Sequence, residues 1–232
     1  MTYEEFWAKI EITEEEKEKS VHYLKYRGVE EHDHVRQYLE SVTGRRVSYS
    51  EIATAFRYDK RIRRVLYKYI GLLEESIRAF ICNKYGEDFM AIAFTGIMQK
   101  QIDIYGELYV SIAELTFGQL IGQAKKLASS DLSELFLHFA DKNLCKNLDA
   151  IVALRNEVSH NRFLLDNKRL KKCNIGDCNN SLWANILNLR NCLPELFRSR
   201  FEKQIEECVE KKEPEFDCQA QWNLVKEIVI EV

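Results

Sequence analysis

The chain has 232 residues, 46% of them hydrophobic, with 34 Lys and Arg against 37 Asp and Glu, a formal net charge of −3. That length allows one large or two small domains with a substantial core, and the charge excludes a global attraction for nucleic acid, so any such attraction must be local. No run approaches the roughly 18 uninterrupted apolar residues of a membrane span, and residues 1–12 carry acids where a secretion signal needs bases, so a soluble, cytoplasmic protein without membrane contact is expected.

Two Pro and nine Gly argue for long helices and few loops. Apolar periodicity predicts helices near residues 14–26, 34–41, 49–56, 60–85, 108–115, 118–127, 132–141, 144–165 and 181–201. Between the first two, Arg27 and His32 flank Gly28 and several acids and read as a helix end and turn, with His32, Asp33 and His34 on a solvated turn. The stretch Thr43 to Lys84 holds ten Lys/Arg against four Asp/Glu. Within it, Arg57, Lys60, Arg61, Arg64 and Lys68 follow three- and four-residue steps, a basic helix face that can track the phosphates of an RNA partner. Further on, the helix over 60–85 has a long apolar stripe suited to a central packing role. Thr116 is placed to cap the helix that follows it, as are Ser130 and Asp131.

After the helix at 144–165, Leu170 to Asn180 reads as a polar loop. Seven scattered cysteines, an odd number without a CxxC pair, do not form a disulfide framework, and Cys173, Cys178 and Cys192 lack the second close pair or histidines of a zinc site. No metal or cofactor is therefore expected. Val225 to Val232 alternates apolar and charged residues, the pattern of a short strand or a final helical turn. Three parts are expected: an N-terminal helical segment over 1–55, a helical core over 56–204 and a C-terminal extension over 205–232.

The stretch richest in chemistry is Leu154 to His160 (LRNEVSH). A guanidinium is a permanent cation that holds phosphate, and an imidazole moves protons near neutral pH. Spacing alone carries little weight: with 15 Arg and 5 His in the chain, roughly one such pair is expected by chance, and Arg27 with His32 is a second match. The surroundings set the later pair apart. Leu148, Ile151, Leu154 (or Val152) and Val158 form a core-facing stripe that Arg155 borders, whereas an Arg155 ion pair with Glu157 or Asp149 would make it purely structural. Arg155 and His160 lie about 140° apart around the helix, so one helix cannot easily aim both at one phosphorus atom. Either the helix loosens near Ser159, or two copies of it meet and share a site. Asn156, one turn before His160, can fix the imidazole tautomer.

The Arg-Asn-x-x-x-His signature resembles the HEPN superfamily, and Leu154 to Leu165 (LRNEVSHNRFLL) is similar to its branch of Abi-like abortive-infection proteins. The segments Glu18 to Gly28, Ala55 to Gly86 and Thr116-Phe117-Gly118 resemble that branch in the same order, so the likeness covers about residues 15–170. Val158-Ser159 stands where a small Cys-Ala type pair is commoner, and no Trp follows Phe163. The resemblance implies an all-α helical bundle with added N-terminal helices and a C-terminal extension. It further implies a homodimer across the motif helices and metal-independent endoribonuclease activity in phage defence or as a toxin, an activity that a regulatory RNA, an antitoxin or a low-activity ground state would have to restrain. It assigns catalysis to Arg155 and His160, with Asn156 at the polar position. The alternative is a non-catalytic helical adaptor, an RNA-binding or protein-interaction module whose motif helix only builds a dimer interface.

Overall fold

A computed structural model of the chain describes residues 1–89, 92–136, 141–166, 169–173, 175 and 181–210. The expected element at Val225 to Val232 and Cys178 lie outside the described residues. The protein is all-α. Eleven helices follow one another among the described residues: α1 Tyr3–Trp7, α2 Glu14–Arg27, α3 Val29–Thr43, α4 Tyr49–Tyr85, α5 Gly96–Tyr105, α6 Leu108–Ala113, α7 Phe117–Ala124, α8 Ser129–Leu135, α9 Asp141–Ser159, α10 Ser181–Cys192 and α11 Glu195–Glu210. None of the described helices is long and apolar enough to cross a membrane. The described residues divide into two compact units, one within 1–63, 163–166 and 204–210, the other within 64–162 and 169–203.

In the first unit α1, α2 and α3 pack on one another. Capping boxes start α1 (Thr2 with Glu5) and α2 (Thr13 with Glu16), each satisfying two amides that a helix start leaves without partners. Gly28, at φ 85°, ends α2 and begins α3 at once, so α3 starts five residues earlier than the periodicity predicts. The solvated turn expected at His32 to His34 is therefore corrected. His32 is 2% exposed on α3, its Nδ1 lies 2.9 Å from the Gly28 carbonyl, and its ring packs against Phe6, Tyr49 and Phe56. Burial lowers its pKa, so the imidazole is a neutral core group and the pair Arg27/His32 is structural. Asp33 is buried beside it, held by Arg36 and Gln37.

Helix α4 is continuous for 37 residues, about 55 Å, where the sequence predicts two helices. The expected break fell on Arg57-Tyr58-Asp59. Instead Ile52, Ala55, Tyr58, Ile62, Leu66 and Tyr69 are all buried at three- and four-residue steps, and the acid inside that stripe is neutralised locally. Asp59 is fully buried, accepts the Arg63 Nε at 2.6 Å and the Leu164 amide at 2.6 Å, and so ties residues 163–166 to α4. Phe163 completes that anchor against Tyr38 and Phe56, and Asp166 meets the His34 Nε2 at 3.0 Å.

In the second unit α5 packs on α6 and α7, and α9 on α7 and α10. Arg78 reaches the Ile112 and Leu115 carbonyls at the end of α6. Gln123, fully buried, holds the approach to α5 by accepting the Thr95 amide and donating to the Ala93 carbonyl. Thr116 caps α7 in a capping box with Gln119, as its position predicts. The expected caps Ser130 and Asp131 instead lie inside α8, whose N-cap is Ala128, and Asp131 takes Lys84 and the Tyr85 hydroxyl. The single helix expected over 181–201 is two, because Pro194 has no amide to donate and disfavours helix in the residue before it.

Candidate catalytic site

The motif lies on α9 and its end. Leu148, Ile151 and Leu154 are fully buried and Val158 nearly so, which fixes the helix face and leaves Arg155 half-buried at its border and Asn156 and His160 exposed. The helix does not run to Leu165. It stops at Ser159, because Asn161 adopts a left-handed backbone at φ 54°, a conformation that Asn tolerates better than most residues. The Arg162 amide then donates to the Glu157 carbonyl and the Asn161 amide to the Val158 carbonyl, the two bonds of a Schellman motif. Where such motifs commonly place an apolar contact, this one has an ion pair, Arg162 to Glu157 at 2.7 Å.

His160 is thus the last residue in register. Its amide donates to the Asn156 carbonyl at 3.0 Å, an ordinary helical bond, so the helix does not loosen before the histidine. The 140° between Arg155 and His160 consequently stands. The Asn156 amide makes no hydrogen bond to the imidazole among the described residues, so it does not fix the tautomer in this chain.

Both carboxylates that would have made Arg155 a structural ion-pair residue are engaged elsewhere. Glu157 pairs with Arg162, and Asp149 with Lys125 of the segment ending α7. Arg155 and His160 have no hydrogen-bond or ion-pair partner among the described residues. Arg155 therefore keeps no carboxylate of its own among the described residues, which leaves its charge available to an anion.

The basic face proposed for RNA divides. Arg57, Lys60, Arg61, Arg64 and Lys68 all lie on α4 within about 100° of arc. Arg61, however, donates to the Cys208 carbonyl at 3.1 Å near the end of α11, and Arg57 to the Ala53 carbonyl one turn back. Lys60 is half-buried. Arg64 and Lys68 are exposed, the latter over the Tyr69 ring.

Sequence reasoning overlooked a second basic segment. Lys168 to Lys172 (KRLKK) puts four bases in five residues soon after the motif, a signal for polyanion contact that the reading of a merely polar loop passed over. Among the described residues no three His, Cys, Asp or Glu side chains are grouped so as to hold a metal ion. Comparisons with models of protein families, with curated proteins and with solved structures find no match for this chain.

Proposed function

We propose that the chain is a metal-independent endoribonuclease of the HEPN type, acting in phage defence or as a toxin, with a site completed by a second copy of the chain. The observation that carries this reading is Arg155, half-buried and left without an acid among the described residues because Glu157 and Asp149 serve Arg162 and Lys125. Five residues on, His160 is exposed on a helix end whose backbone bonds fix where the imidazole starts. In the proposed reaction the His160 imidazole takes the proton of a ribose 2′-hydroxyl, whose oxygen bonds to the adjacent phosphorus as the bond from phosphorus to the 5′-oxygen breaks. The products are a 2′,3′-cyclic phosphate and a 5′-hydroxyl, whose oxygen takes its proton from water while the imidazolium returns its own to solvent, and the second copy contributes its Arg155. Arg155 stabilises the charge that builds on the phosphoryl oxygens. Such an activity has to be restrained, and a regulatory RNA or antitoxin is the partner proposed for that role.

The test is cleavage of a mixed-sequence RNA by the native chain and by Arg155→Ala and His160→Ala. The native chain is expected to leave cyclic-phosphate ends, and each variant to lose at least about a hundredfold in rate. Cleavage that persists in both variants removes this site. No cleavage by the native chain leaves the helical adaptor as the better reading.

A further inference from the structure

We infer that Arg169, Lys171 and Lys172 form a docking strip for the RNA backbone alongside the motif helix. This deepens the ribonuclease reading and rests on it. Between residues 161 and 174 the chain has five Lys/Arg and one acid. That is a net +4 in fourteen residues, a denser excess than the +6 spread over the 42 residues around the basic face of α4. The single acid, Asp166, is already occupied by His34.

The backbone of this strip is fastened and its charges are not. Leu170 and Cys173 point inward and are buried, whereas Arg169, Lys171 and Lys172 are exposed. Cys173 joins Ala150 of α9 and Ala184 of α10 in one buried cluster, and the Nδ2 of fully buried Asn185 on α10 donates to the Lys171 carbonyl at 2.9 Å. None of the three basic side chains has a hydrogen-bond or ion-pair partner among the described residues. The chain leaves α9 at Arg162 and has returned to the level of Ala150 by Cys173, beside the helix that carries Arg155. Ala150 and His160 are about 15 Å apart along the axis, a length that a few nucleotides span. Three cations on a fixed backbone, without acids of their own among the described residues, suit a run of phosphates and release counter-ions when they bind it.

The experiment measures binding of a fluorescent single-stranded RNA to the full chain carrying His160→Ala, with and without Arg169→Ala, Lys171→Ala and Lys172→Ala together. The triple change is expected to weaken binding about tenfold near physiological salt and to lower the slope of log affinity against log salt by about 2. Unchanged circular dichroism checks the fold, and Lys171→Arg with Lys172→Arg is expected to keep the affinity. An unchanged slope and affinity in the triple variant, with the native chain still cutting RNA, overturns the strip and leaves the ribonuclease reading standing. RNA binding absent from the His160→Ala parent, together with no cleavage by the native chain, overturns both.

Discussion

Asp59 is a carboxylate without access to water, held by Arg63 and by the amide of Leu164. Burial pushes it up to about 6, against the downward pull of Arg63 and of the Leu164 and Leu165 amides. Desolvation therefore outweighs the ion pair here, as it does for many buried pairs. An acid with a raised folded pKa binds its proton more tightly when folded, so its contribution favours the folded state at low pH and is lost as pH rises from about 4 to about 6. In urea titrations, the stability of the native chain relative to Asp59→Asn should fall by about 3 kcal/mol across that window. A difference that instead grows with pH would show Arg63 to be the stronger influence. Arg155 and His160 lack partners among the described residues, so their loss should leave folding nearly intact: Arg155→Ala and His160→Ala are expected within about 1 kcal/mol of native stability by the same method. A larger loss would mean that the pair serves the fold.

At the scale of elements, the end of α9 decides where His160 sits. Asn161 at φ 54° is the pivot. Asn161→Val places a β-branched residue in the left-handed region and should cost about 1–2 kcal/mol, whereas Asn161→Gly should be tolerated; thermal unfolding of the two variants measures the contrast. If both behave alike, the helix end is set by something other than that backbone angle. The fold was readable wherever apolar periodicity stood alone, as for α2, for most of α4 and for the stripe Leu148, Ile151, Leu154, Val158. It was misread where polar residues turned out to be interior. Asp59 suggested a break in α4 and His32 a solvated turn, because sequence does not say that Arg63 neutralises one and an aromatic pocket receives the other. Helix α1 escaped despite the Thr2 and Glu5 signature of a capping box, its five residues being too short to show a period. The motif was legible as residue types, but not the acid pairings: Asp149 takes Lys125 from 24 residues away, and Glu157 meets Arg162 only because the helix ends at Asn161.

For the whole molecule, the angular separation of Arg155 and His160 makes assembly part of the chemistry proposed. One copy presents the two groups to different sides of α9, and a two-fold related copy can supply the missing partner. Mixing separately purified Arg155→Ala and His160→Ala chains tests that claim most directly. If each site takes its arginine from one copy and its histidine from the other, mixed dimers hold one intact site. Activity should then rise from background to about a quarter of the native level, since half of randomly paired dimers are mixed and each has one good site of two. A mixture as inactive as its components, while the native chain cuts RNA, would contradict a shared site.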